Sequence, residues 1–206
     1  MTSLATRGLR VVLESPRCYA WSQAVLGADR ARRTLVEHYL GPLGSVDVVD
    51  LGCGPGVIAP YLGARSYVGY DASPAYIAAA RRRHGVRGEF HVARAERVPD
   101  REPRRFGLVL ALGIVHHLDD ASAIALFRAA RTLLVPGGRC VTLDPVFVAG
   151  QRPLARALAA LDRGRHVRDD AAYAALARAA FPSVALSHRS DLLRVPYDHL
   201  ILTCTG

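Results

Sequence analysis

Residues 46–56 read Val46-Asp47-Val48-Val49-Asp50-Leu51-Gly52-Cys53-Gly54-Pro55-Gly56, an apolar run that ends in a turn with three glycines in five positions. The run has the length and β-branched content of a buried strand, and the stretch after it, Gly56–Leu62, reads as a short helix. Glycines at 52, 54 and 56 let the backbone bend sharply and come close to a ligand with no Cβ in between. A strand, a glycine turn and a helix in this order open a βαβ unit and form a cradle for a small molecule.

From this segment onward the chain alternates short apolar runs with helical patterns, the signature of a parallel sheet built from βαβ units. The strand candidates are Val46–Asp50, Ser66–Tyr70, Gly88–Ala93, Gly107–Ala111, Gly138–Asp144, Val184–Arg194 and His199–Cys204. Helices are expected at Pro74–His84, Ala121–Leu134 and Ala171–Ala180. Ser73-Pro74 supplies a cap with proline at the first helical position, and Pro136-Gly137-Gly138 supplies a stop and turn. The result is an α/β fold, a doubly wound, Rossmann-like seven-stranded sheet with helices on both faces. Ser22–Gly27 and Asp29–Leu40 read as helices of an N-terminal lid over residues 1–44, placed over the sheet's edge. The core is expected over 45–206, with an insertion near 145–170 whose helix runs from about Pro153 to Asp162. All of this is read as one domain, 1–206.

The composition agrees with a globular chain: of 206 residues, 50% are hydrophobic and 22% charged, which excludes disorder, collagen and coiled coil. Cys18, Cys53, Cys140 and Cys204 form no C-x-x-C pair, so a zinc ribbon, a redox motif and a secreted disulfide scaffold are set aside in favour of reduced thiols. The N-terminal run Leu9–Leu13 is too short and too interrupted for a signal peptide, and no segment approaches a bilayer span. A soluble cytoplasmic protein with no membrane partner is expected. The net charge of +9 raises the question of nucleic acid. However, all 27 basic residues are arginine and they are spread along the chain, save Arg81-Arg82-Arg83 and the stretch from Arg163 to Arg168. That pattern looks like compositional bias, and nucleic acid is not the preferred partner.

Spacing decides which ligand the cradle holds. A phosphate loop requires Gly-Lys-Ser/Thr, and the chain has no lysine. A dinucleotide fingerprint would put its third glycine at position 57, which is Val57, and so disfavours NAD.

Val-Val-Asp-Leu-Gly-Cys-Gly-Pro-Gly resembles motif I of the class I S-adenosylmethionine-dependent methyltransferases. Val68-Gly69-Tyr70-Asp71 supports the resemblance, because it ends the next strand with an acid 21 residues after Asp50, about where a doubly wound fold offers a carboxylate to a ribose. Read alone, Asp71 is equally a cap ahead of Ser73-Pro74. Phe106–Leu110, the segment Ala111–Leu118 with its His-His-Leu ending, and Leu133-Leu134-Val135-Pro136-Gly137-Gly138 continue the resemblance in order. It covers roughly Ser45 to Thr205 and implies a last strand running antiparallel.

The resemblance implies S-adenosyl-L-methionine as cofactor. Asp50, Gly52, Cys53, Gly54 and Gly56 would lie about its methionine part, helped by carbonyls near Ala111 and Leu112, while Asp71 and Ala72 would lie at the ribose. In many relatives the third strand ends in an acid that binds the adenine amine, whereas here the segment is Ala93-Arg94-Ala95-Glu96. Arg94 cannot accept from that amine, so backbone groups of Arg94 and Ala95, or Glu96, would take its place. Tyr19 and Gln23, in a cluster with Arg17 and Trp21, would close over the methionine end.

An acceptor that bears a proton needs a base, and His116 and His117 have the chemistry for it. One should face the pocket and the other the protein, with His117 preferred as base; the pair reads equally as structural. No metal site is expected, because adjacent histidines point apart. The segment Asp162–Arg168 reads as a surface run or as a site for an anionic substrate. Methyl transfer to a small-molecule metabolite is therefore the expected function. The alternatives are RNA methylation and a cofactor-binding protein of this fold that transfers no methyl group.

Overall fold

The structure is a computed structural model that describes residues 28–161 and 164–206. Its strands are β1 (Asp47–Leu51), β2 (Ser66–Asp71), β3 (Glu89–Val92), β4 (Phe106–Leu112), β5 (Leu134–Phe147), β6 (Arg168–Asp169), β7 (Ser183–Arg189) and β8 (His199–Thr205). The sheet order is β3-β2-β1-β4-β5-β8-β7, with the two-residue β6 beside the end of β5. The pairs among β1 to β6 are parallel, and β8 runs antiparallel to both β5 and β7.

Strand residues alternate between two cores, as they must in a sheet covered on both faces. Val49, Leu51, Val109 and Ala111 pack with helices α4 (Asp120–Thr132) and α6 (Asp170–Arg178) through Leu126, Phe127, Tyr173 and Ala177. Val48, Leu108, Leu110, Val141 and Ile201 pack on the other side against α1 (Ala28–Leu35), α2 (Ala59–Leu62) and α3 (Pro74–His84). A further short helix, α5 (Pro153–Ala160), follows β5. Caps set the starts of three helices: Ser73 accepts from the Tyr76 amide ahead of Pro74, Asp119 from Ser122, and Asp169 from Ala172. Among the described residues no helix is long and apolar enough to cross a membrane.

Three expectations about elements change. The expected fifth strand, Gly138–Asp144, begins four residues earlier and ends three later. The Pro136-Gly137-Gly138 turn is a bulge inside β5, with the register jumping from Phe106↔Leu134 to Leu108↔Arg139 and Gly137 at φ 77°. The first turn of the Gly56–Leu62 helix is loop, and the helix proper starts at Ala59. The expected strand Val184–Arg194 ends at Arg189. In the described part of the N-terminal segment, Leu35, Leu40 and Leu43 are buried on the sheet's face in the same cluster as Val48 and Leu108, and the Tyr39 hydroxyl accepts from Arg189 of the edge strand β7 at 3.3 Å. The rest of that segment, with Arg17, Tyr19, Trp21 and Gln23, lies outside the described residues, as do Cys18, Asp162 and Arg163.

Candidate cofactor and acceptor site

The C-terminal ends of the parallel strands form one rim, where open α/β sheets bind their ligands. At its centre the Gly52–Gly56 turn follows β1. The Gly52 and Cys53 amides both donate to the Tyr70 carbonyl, at 2.7 and 3.0 Å. The Gly54 amide donates to Asp71 Oδ2 at 2.9 Å, and the Ser73 amide donates to Asp71 Oδ1 at 2.8 Å. Asp71 is thus the hinge pin between the turn and the start of α3, half-exposed at the rim beside the exposed Ala72.

The three glycines do different jobs. A Cβ on Gly52 would lie 2.5 Å from Ile114 Cδ1, so this glycine admits the loop after β4. A Cβ on Gly56 would lie 2.7 Å from Phe90, so this position serves packing against β3. Gly54, at φ 54°, has no heavy atom of the described residues within 4 Å of that position and is the open face of the cradle.

The side chains of Cys53 and Ala95 are both buried. A Cβ on Gly69 would lie 2.7 Å from the Cys53 Sγ. Ala95 is buried in the core with Val98. Arg94 points to solvent and pairs with Glu96 at 2.7 Å, so the carboxylate expected to stand in for the relatives' adenine-binding acid is already engaged. Leu112 closes β4 at the rim, half-buried.

Asp50 lies beneath the turn and is 2% exposed. Its Oδ2 accepts from the Tyr67 hydroxyl at 2.7 Å, whereas its Oδ1 has no hydrogen-bond partner among the described residues. Burial, together with the nearby charge of Asp71, raises its pKa to about 7 against the lowering effect of Tyr67. Burial likewise raises that of Asp71, against the two amides that lower it.

Of the two histidines, one is buried and the other exposed. His116 is buried and its Nδ1 lies 2.7 Å from Asp144 Oδ1, which also accepts from the His116 amide at 3.1 Å. His117 is exposed, its ring centroid 4.1 Å from that of His116. Asp144 sits in β5, and its service to His116 was not legible in the sequence, since the two are 28 residues apart with no shared motif. Tyr67 was missed as the partner of Asp50 for the same reason. An imidazole held at one nitrogen by a buried carboxylate has a fixed tautomer and orientation.

Comparison with known proteins agrees with this geometry. A family model described as a methyltransferase domain matches residues 48–138. A ubiquinone biosynthesis O-methyltransferase of Bradyrhizobium sp. (strain ORS 278) is 38% identical over 107 residues, covering 50% of this chain and 41% of that protein. The chain thus spans about two fifths of the length of that relative. Among solved structures, the mitomycin 7-O-methyltransferase MmcR superposes with a TM-score of 0.69 at 18% identity, covering 96% of this chain and 60% of that one. Human N-acetylserotonin methyltransferase in complex with SAM gives 0.64 at 16% identity, covering 86% and 52%. The matched segment holds the cradle, from β1 through Gly54 and Asp71 to the His116 loop. Residues 48–138 thus match the methyltransferase-domain family, and the fold is that of the superposed methyltransferase structures.

Proposed function

We propose that the protein transfers a methyl group from S-adenosylmethionine to a small-molecule metabolite. The observation that carries this reading is the Gly54–Asp71 pair: an open glycine turn and a carboxylate, locked together at the sheet's rim. The residues fit the cofactor. Asp50 Oδ1 is buried without a partner among the described residues, and the charge of Asp71 adds to the cost of ionising Asp50, so a cation beside the turn would relieve it. When bound, S-adenosylmethionine supplies a methyl carbon activated by a sulfonium.

The chain's own residues have three tasks. Gly52 and Gly54 offer the methionine part of the ligand a backbone with no Cβ in the way, and Asp71 has acceptor capacity left for ribose hydroxyls. Arg94 and Ala95 contribute backbone groups near the adenine. His117, exposed at the end of the β4 loop, accepts the acceptor's proton at a ring nitrogen, while His116 and Asp144 hold the loop that carries it. Orientation in a dry site supplies most of the rate. The buried thiols Cys53, Cys140 and Cys204, free in this structure, suit the cytoplasm.

The test is isothermal titration with S-adenosylmethionine and S-adenosylhomocysteine, followed by an acceptor screen read as S-adenosylhomocysteine release. Micromolar binding with release supports transfer. Binding without release for any acceptor would favour a protein of this fold that holds the cofactor for another purpose, and no binding would sink the cradle assignment.

A further inference from the structure

Arg168 opens β6, far along the chain from the rim residues, yet its side chain is only 10% exposed. Its nitrogens reach four oxygens. Nη1 donates to the Val115 carbonyl at 3.3 Å and to the His166 carbonyl at 2.8 Å. Nη2 donates to the Leu118 carbonyl at 2.7 Å and to Asp120 Oδ1 at 2.6 Å, and Nε donates to the same carboxylate oxygen at 3.0 Å. Val115 and Leu118 are the residues on either side of His116-His117, so one guanidinium holds the carbonyls that bracket both histidines.

The segment leading to Arg168 adds a second grip. The His166 amide donates to the His116 carbonyl at 3.0 Å, and Gly164 lies so close to the His116 ring that a Cβ there would collide with it. Behind the guanidinium lies the ring of buried Tyr173, its centroid 5.7 Å away. Pairing of Val146 with Arg168 and Phe147 with Asp169 anchors this buckle to the end of β5.

We propose that Arg168 is a positioning residue for methyl transfer, fixing the two-histidine loop from the far side of the insertion. The proposal rests on the transfer reading above. Only a planar fork with several donors can span two carbonyls and a carboxylate at once; a lysine ammonium, a single point charge on a flexible stem, cannot.

The test uses the full-length protein labelled with nitrogen-15. In the wild type the His116 Nδ1–H held by Asp144 should give a protected imidazole signal. In Arg168→Ala and Arg168→Lys that signal should be lost to exchange, S-adenosylhomocysteine affinity should stay within about twofold, and kcat for any acceptor turned over by the wild type should fall about tenfold or more with the cofactor KM unchanged. Should Arg168→Ala fail to fold, Asp120→Asn, which removes the negative charge of an exposed partner of the guanidinium, should still weaken the signal and lower kcat by about threefold. Retention of the His116 signal together with unchanged kcat in Arg168→Lys and Asp120→Asn would overturn the proposal. A wild type that forms no S-adenosylhomocysteine overturns the transfer reading instead, and the imidazole spectrum then decides Arg168's hold on the loop alone.

Discussion

The Gly54 amide and the Asp71 carboxylate meet at 2.9 Å across two parallel strand ends, joining the glycine turn to the loop that opens α3. Because the other Asp71 oxygen takes the Ser73 amide, this side chain shapes the cradle as well as facing it. Asp71→Asn keeps one acceptor oxygen and loses the charge. One backbone amide then lacks its partner, at about 1 kcal/mol, which lowers Tm by roughly 2–4 °C in a chain of this size. Affinity for S-adenosylhomocysteine should fall about tenfold or more, a larger effect than the stability loss explains. Calorimetry with a melting curve on the same sample separates the two, and unchanged affinity would remove Asp71 from the site.

Gly54→Ala divides folding from binding at a second position. The new methyl meets no atom of the described residues, so its folding cost there is the left-handed backbone alone, about 1–2 kcal/mol. On the ligand's side it stands in the open face of the turn. A drop of about tenfold or more in cofactor affinity, with a soluble folded protein, is expected. Gly56→Ala should behave oppositely, since its Cβ would press on Phe90 within the core. Its thermal stability should fall further than that of Gly54→Ala.

How much of this was readable beforehand follows from distance along the chain. The strands were legible because buried parallel strands are unbroken apolar runs, and the cradle because its glycines and Asp71 sit in local motifs. Pro136-Gly137-Gly138 misled at β5 because the residues that stop a helix can also form a bulge, and only pairing with Phe106 and Leu108 tells the two apart. Asp144 with His116, and Arg168 with Val115 and Leu118, are 28 to 53 residues apart. Periodicity assigns a face to each residue; it does not say which residue on another element it will meet.

Asp50 makes the free protein's stability depend on pH in a defined direction. Its carboxyl is raised from 3.8 in the unfolded chain to about 7 in the fold, so between those values the native state holds the extra proton. The contribution is therefore most favourable below about pH 4 and is lost as pH rises to about 7, a change on the order of 4 kcal/mol by the full shift. Asp50→Asn does not titrate. Its stability relative to wild type, from urea unfolding at pH 4.5 and 8, should rise with pH, and a constant difference would show that Asp50 is ionised throughout. A cationic ligand at the turn should flatten the wild-type trend by favouring the carboxylate.

The two histidines predict opposite phenotypes from adjacent positions. His117 is exposed, so His117→Gln should alter stability by no more than about 0.5 kcal/mol and leave cofactor binding intact. If its ring nitrogen takes the acceptor's proton, turnover should drop about 100-fold or more, most steeply for acceptors whose own proton is hard to remove. His116→Ala leaves Asp144 buried with neither oxygen facing an imidazole, and breaking such a pair costs about 3–5 kcal/mol. Asp144→Asn, which keeps an acceptor for His116 but not the charge, should stay folded and lose activity without losing affinity for S-adenosylhomocysteine. Unfolding curves, calorimetry and S-adenosylhomocysteine release on all three variants decide the roles. Full activity in His117→Gln with none in a folded Asp144→Asn would move the base from His117 to His116.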